Sequence, residues 1–430
     1  HVLHLHNWKP VPTADLNTTL AISLSVILLV MVESVKAKGL GGYIHELTMT
    51  PFHGGNIIAN STAVTTDSLV YQASFNSSNW SGELAAFPVT SGGVSNIARW
   101  RASEQIPDPT TRRIVYAADD GTGKNFDWSN LSTAERALLG NNSALLDYVR
   151  GVRTGEIQNG GALRNRAVNT VLGDIAHSSP FFLRDNGTVF IGANDGMLHA
   201  FDSTTGAERF AFIPSSSMSR LANLANINYN ESHQYFVDGD MVVSSSAQTG
   251  TTNYLVSTLG RGGKGLFGLN VTSPSTFSGS DVLWEYMPAT DPDLGYMLGR
   301  PVLARMQNDQ WAVVVGNGYN STNQRAVLYF FDLATGALIR KIDTGVAGDN
   351  GLATPGVRLD NTGRAVSVYA GDLRGNLWEF DVSSSTTTTW AVSNAGAPFF
   401  TATDNSGTPQ PITAPVTMAL NNMPTDPHYG

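Results

Sequence analysis

Short apolar runs separated by polar turns recur along most of the chain. Val189 to Phe212 shows the pattern best: VFIGANDGMLHAFDSTTGAERFAF. An apolar run ends at Gly192, the turn Asn194-Asp195-Gly196 follows, and Met197 to Phe201 is a second run. Asp202 then opens the turn STTG, and Glu208 to Phe212 is a third. Runs of this length between Gly, Asn, Asp and Ser predict β-strands, and Asn-Asp-Gly predicts a tight hairpin.

The order returns. Val313 to Ile342 repeats it with a longer first turn, and Val368 to Val392 repeats it with Gly375-Asn376 at the turn and Trp390 in the last run. Leu255 to Tyr286 is a looser copy with Leu269-Asn270 in place of Phe-Asp, and Leu69 to Val89 is a weaker one. Each copy has a further strand ahead of it, starting at Pro180, Asp238, Pro301, Pro355 and Pro415. Proline fits the first residue of a strand, which need not donate to the ladder. The Pro-to-Pro steps are 121 residues (two units), 54 and 60. Four short strands at that period predict an all-β protein, a modified β-propeller of four-stranded antiparallel blades. Pro415 starts one more blade with 16 residues left, so the ring is expected to be incomplete at its C-terminal end.

Within the repeat the polar residues read as structural. Asp202, Asp332 and Asp381 end a strand and accept N–H groups of the turn that follows, while Gly206 and Gly336 close the loop. Phe201, Phe331, Trp378 and Phe380 read as packing between blades. Leu131 to Arg150 breaks the pattern: its apolar residues fall at helical spacing, and Ser132 with Glu135 fits a capping box. Two short helices inserted between blades are expected there.

Residues 1–66 form an N-terminal flank ahead of the propeller at 67–430. Leu20 to Val32 is its longest apolar run, at 13 residues. A bilayer-spanning helix needs about 20, so buried strands or a core helix is the expected reading. His1, His4 and His6 have no carboxylate near them in sequence and are not expected to bind metal.

Composition narrows the functions. The 430 residues carry 26 Lys and Arg against 35 Asp and Glu, a net charge of −9, which argues against nucleic acid as the partner. Absence of cysteine excludes thiolate zinc sites, iron–sulfur clusters and cysteine nucleophiles. Asp174, His177, Ser178 and Ser179 allow a triad to be imagined, yet no GxSxG frames the serines and a capped strand entry is the expected reading. Asp291-Pro-Asp293 has the oxygens for a cation, although Asp-Pro more often opens a turn. The sites at Asn76, Asn79, Asn186 and Asn320 have the Asn-x-Ser/Thr pattern that this composition produces by chance.

The strings VLGDIAHSSPFF, VFIGANDGMLHAFDSTTGAERFAFIPSS, HQYFVDGDMVV, DPDLGYMLGRPVLARM, WAVVVGNGYNS and YAGDLRGNLWEFD occur in that order. From about Asp67 to Ser406 the chain resembles the C-terminal domain of type IV pilus tip-associated adhesins of the PilY/PilC kind. The resemblance implies a propeller at the pilus tip or outer surface, exported through the periplasm. It implies roles in pilus assembly, twitching motility and adhesion, with minor pilins, the pilus tip and a surface or host receptor as partners. It implies neither an enzyme nor an integral membrane protein. Such proteins often carry an N-terminal von Willebrand factor A-like domain, whose DxSxS signature is not seen here.

Some members hold calcium just before the YAGD string through alternating aspartates. Counted back from Tyr369, the first, third, fifth and ninth loop positions here are Arg358, Asp360, Thr362 and Val366. Asp360 is the single metal candidate, and with Arg358 repelling a cation the loop is expected not to bind. No cofactor and no catalytic residue is expected. Two alternatives are a quinoprotein-like dehydrogenase, which the blade motif also resembles but which lacks a carboxylate cluster, and a glycan-binding propeller scaffold.

Overall fold

Alternation decides how the strands are used. In β9 (Thr188–Gly192), Val189 and Ile191 point to one face and Phe190 to the other, and all three are fully buried. A strand apolar on both faces needs a layer on each side. The structure, a computed structural model describing residues 57–59, 66, 68–287 and 291–418, supplies these layers as five sheets packed face to face.

Blade 1 has β1 (Ile57–Ala59), β2 (Leu69–Asn76), β3 (Ser81–Thr90) and β4 (Gly93–Val94), with β5 (Trp100–Arg101) also on β3. Its first strand thus lies ahead of residue 67. Blade 2 runs β8 (Phe181–Leu183), β9, β10 (Leu198–Asp202), β11 (Glu208–Ile213). Blade 3 runs β12 (Met241–Val243), β13 (Tyr254–Thr258), β14 (Leu266–Asn270), β15 (Val282–Tyr286). Blade 4 runs β16 (Val302–Arg305), β17 (Trp311–Gly316), β18 (Arg325–Asp332), β19 (Leu338–Ala347). Blade 5 runs β20 (Gly356–Leu359), β21 (Ala365–Gly371), β22 (Asn376–Asp381), β23 (Ala391–Val392), with β24 (Phe400–Thr401) also on β22.

The core is distributed between the blades. Tyr71 and Leu84 meet Val189, Ile191 and Phe201, and Phe190 and Phe212 meet Leu255 and Phe267. Val256 and Trp284 meet Val313 and Phe331, and Val314 and Phe330 meet Val368, Trp378 and Phe380. Each such buried side chain contributes roughly 1.5–3 kcal/mol. Among the described residues, none of these clusters joins blade 5 to blade 1. The first strands face the axis: β8 lies against β1 and β12, and β16 against β20. This radial stack of meanders is the modified β-propeller the repeat predicts.

Blade 2 departs from four antiparallel strands. β6 (Ile114–Ala117) pairs in parallel with β11, and β7 (Gly123–Asn125) continues the sheet to six strands. The two inserted helices, α1 (Thr133–Leu138) and α2 (Ser143–Arg150), cover this extension. The capping box is present: Glu135 N–H donates to Ser132 Oγ at 3.1 Å, and Ser132 N–H to Glu135 Oε2 at 2.8 Å. Glu135 is buried because it also accepts Tyr116 OH at 2.9 Å.

The turns confirm most of the reading. Asp202 Oδ1 accepts the N–H groups of Thr204 and Thr205, and Asp332 Oδ1 those of Ala334 and Thr335. Asp381 Oδ1 accepts Ser383 N–H. Gly206 and Gly336 take φ of 77° and 66°. A Cβ there would also run into the indole of Trp100 or Trp284 from the preceding blade. Asn194-Asp195-Gly196 is the tight hairpin loop expected between β9 and β10: Ala193 N–H donates to Met197 O at 2.9 Å, and Gly196 takes the positive φ of 96°.

Leu20 to Val32 and His1, His4 and His6 lie outside the described residues, and no helix among the described residues is long and apolar enough to cross a membrane.

Candidate functional site: the loop rim and axial funnel

The proline-led strand starts bring Pro301, Pro355 and Pro415 to the wall of one funnel of about 680 Å³ at the axis. Asp240, Arg300 and Tyr319 share that wall. Gly356 is packed so closely against Val416 that a Cβ would collide with its carbonyl, so the segment after Pro415 runs beside β20, although the strand expected from Pro415 is not formed over 415–418.

Beside the funnel, GDIAHSS (173–179) is stitched to HQYFVDGD (233–240). His177 Nδ1 lies 2.8 Å from Asp238 Oδ2, and Ser179 N–H donates to Asp240 Oδ1 at 3.1 Å. Asp174 Oδ1 lies 2.8 Å from His233 Nε2, and its Oδ2 accepts Asn194 Nδ2–H at 2.7 Å. Phe236 N–H donates to Asn194 Oδ1 at 2.8 Å. Burial pushes the Asp238 carboxyl up from its ordinary value in spite of His177. Rings join the same loops: His233 stacks on Trp80 at 3.7 Å and meets Tyr235 edge-on at 5.0 Å. Ser178 Oγ accepts Gly192 N–H at 3.0 Å. Asp174, His177 and Ser178 thus bond to different residues and do not converge as a triad. Their work is to hold loops from successive blades in register.

Asp291 and Asp293 do form a turn, with Asp293 N–H donating to Asp291 Oδ1 at 3.0 Å. The cation between them is the chain's own. Lys341 Nζ sits 2.8 Å from Asp291 Oδ1 and 2.5 Å from Asp293 Oδ2. Tyr329 OH (2.8 Å) and Tyr286 OH (3.0 Å) also donate to Asp291 Oδ2. Burial, then the hydrogen bond to Asp291, pushes the Tyr286 hydroxyl up to about 12.

Asp360 opens the hairpin turn expected around Asn361 to Gly363. Its Oδ1 accepts Thr362 N–H (2.8 Å), Thr362 Oγ1–H (2.6 Å) and Arg364 N–H (3.0 Å), and its Oδ2 accepts Gln307 Nε2–H at 2.9 Å. These bonds hold the carboxyl below the usual carboxylate range. Oδ1 serves the turn and Oδ2 binds Gln307 of blade 4's first loop, while Arg358 points its guanidinium at Ser367 Oγ (3.1 Å). Among the described residues, no three His, Asp or Glu side chains are grouped to hold a metal.

The sequence reading missed a buried charge network in blade 2. His199 is fully buried, with Nδ1 2.8 Å from Glu208 Oε1 and Nε2 3.1 Å from Asp195 Oδ1. Arg112 donates to both Glu208 oxygens, at 2.6 and 2.8 Å. Burial alone would lower the imidazole's value; the Asp195 charge and hydrogen bonds to Asp195 and Glu208 overcome it and raise it to about 9. Burial would raise Glu208, and Arg112 overcomes that to bring it to about 2. An inward-facing His in an apolar strand was the available signal. Its partner Arg112 is 96 residues from Glu208 and was not legible.

Comparison with known proteins agrees with the geometry. The family model described as "PilY1 beta-propeller domain" matches residues 179–425. Over 421 residues the chain is 38% identical to the type IV pilus biogenesis factor PilY1 of Pseudomonas aeruginosa (strain UCBPP-PA14), covering 81% of this chain and 35% of that protein. The crystal structure of the P. aeruginosa PilY1 C-terminal domain aligns at 38% identity with a TM-score of 0.46, covering 55% of this chain and 50% of that one. A stretch of 50 residues, 12% of the chain, is 54% identical to part of ATP synthase subunit a of Shewanella sp. (strain W3-18-1), covering 18% of it. The chain spans about a third of the length of the PilY1 relative. With five radial blades and a family match across more than half of its residues, the chain belongs to the PilY1 β-propeller family.

Proposed function

We propose that this chain is the propeller head of a type IV pilus biogenesis protein. It acts in pilus assembly, twitching motility and attachment to surfaces or host cells, at the pilus tip or outer surface. Its contacts would be minor pilins on one side and a surface receptor on the other. The observation that carries this reading is the family match over residues 179–425. The rim supports it, because loops held by His–carboxylate pairs and stacked rings form a rigid surface suited to recognition. The reading is not enzymatic: the rim's polar side chains are committed to loop contacts. It also has no calcium at Asp360, whose oxygens are taken by its own turn and by Gln307.

The test is complementation. A strain lacking its own gene for the protein, given this propeller within the full-length protein, regains surface pili by electron microscopy and a twitching zone. Normal piliation and twitching in the clean deletion would sink the proposal. For calcium, calorimetry is expected to show no binding at the loop; micromolar affinity lost in Asp360→Ala would overturn that part.

A further inference from the structure

Arg164 is a buried cation without a counter-ion. It is 7% exposed, and among the described residues no carboxylate pairs with it. Its Nη1 donates to Leu224 O at 3.4 Å, its Nη2 to Asn79 O at 2.6 Å, and its guanidinium lies 4.4 Å over the Tyr229 ring. Its Nε is buried with no partner. The nearby acids are spent. Glu156 serves both Arg166 (2.7 Å) and Arg153 (3.3 Å), while Asp174 and Asp195 are each bonded to a histidine. Asp195 and Arg166 also line the space beside Arg164, but each is already paired, with His199 and Glu156, so among the described residues Arg164 has no carboxylate of its own.

Arg164 also lines a chamber of about 30 Å³, together with Asn79, Ser81, Thr170 and Tyr229. Asn79, Ser81, Ala167 and Thr170 line a second cavity as well, an open groove of about 640 Å³, so the chamber adjoins a route from solvent. A buried charge lacking an opposite charge is costly, and an unpartnered buried donor calls for a water or ion. A chamber of this size admits a water or a small ion and little more.

We propose that the chamber is a binding site for a small monovalent anion, the size of chloride or of one carboxylate head, held by Arg164. The anion neutralises Arg164, which ties the blade 1 hairpin, through Asn79 O, to the 221–225 segment, through Leu224 O. The site is independent of the pilus reading.

Crystals of the chain soaked in bromide are expected to show an anomalous peak within bonding distance of Arg164 Nε. In solution at constant ionic strength, replacing bulky gluconate by chloride is expected to raise Tm saturably by about 2–4 °C. Acetate is expected to act in the same way, and its failure would restrict the site to halides and overturn the carboxylate arm. Arg164→Gln, shown to be folded by circular dichroism, is expected to lose the saturable rise. The wild-type bromide map needs no variant. Water alone at Nε, a peak seen only at molar bromide with no change in Tm, or an equal chloride effect in Arg164→Gln would each overturn the proposal.

Discussion

His199 in blade 2 and Tyr329 in blade 4 stand at the same place in the repeat, three residues ahead of the turn aspartates Asp202 and Asp332. Both are buried, and both bond carboxylates that the apolar blade core would otherwise reject. Their counter-charges differ. Glu208 is held by Arg112, itself 4% exposed, so that ion pair is dry. Asp291 is held by Lys341, whose side chain is 28% exposed. In blade 5 the same position is Trp378, whose Nε1–H donates to Asp372 Oδ2 at 2.9 Å, and in blade 3 it is the apolar Phe267. The repeat fixes where the side chain points. It does not fix what balances the charge, because that group comes from whichever loop reaches the site.

The largest expected effect separates the two blades most sharply. Arg112→Met leaves Glu208 buried beside His199 alone and is expected to cost about 3–5 kcal/mol in denaturant unfolding. Lys341→Met removes a part-solvated partner while both tyrosine hydroxyls remain on Asp291, for about 1–2 kcal/mol. Equal losses would erase the distinction between a dry and a wet site.

Two glycines test what the blades share. Gly206→Ala and Gly336→Ala each force a side chain into a left-handed backbone and against a tryptophan, so each is expected to cost about 2–4 kcal/mol. A clear difference between them would mean that the Trp100 and Trp284 contacts are not equivalent.

Blade 2 is expected to respond to mildly alkaline pH. The value of His199 is raised from its ordinary 6.5 to about 9 on folding. Its contribution is complete below about 6.5 and disappears as pH climbs through about 9. Stability should therefore fall across that window, and an NMR titration should place the imidazole midpoint near the upper end. A midpoint near 6.5 would refute the ion-paired description. Glu208 has the opposite sign: its contribution holds above about 4.5 and is lost as pH drops toward about 2. The smallest effect is the turn cap: Asp202→Ala and Asp332→Ala should each cost about 1 kcal/mol for the shared pair of turn N–H groups, their Oδ2 partners being Arg209 for Asp202 and Gln310 for Asp332.

By itself the sequence determined the blades. The two-residue period of apolar positions, the prolines at strand starts and the Asp…Gly turns act through neighbours a few residues away, so Phe201, Phe331, Trp378 and Phe380 were legible as core and Asp360 as a turn. The helical insert was legible for the same reason, down to the Ser132–Glu135 cap. Tertiary structure decided the contacts that cross the chain. Asn194 bonded Phe236 and Asp174 from within its hairpin, Lys341 filled the gap between Asp291 and Asp293, and Arg112 met Glu208. Each joins residues at least 20 positions apart, and a polar side chain in a buried site takes whichever partner the packing delivers, which no local pattern records.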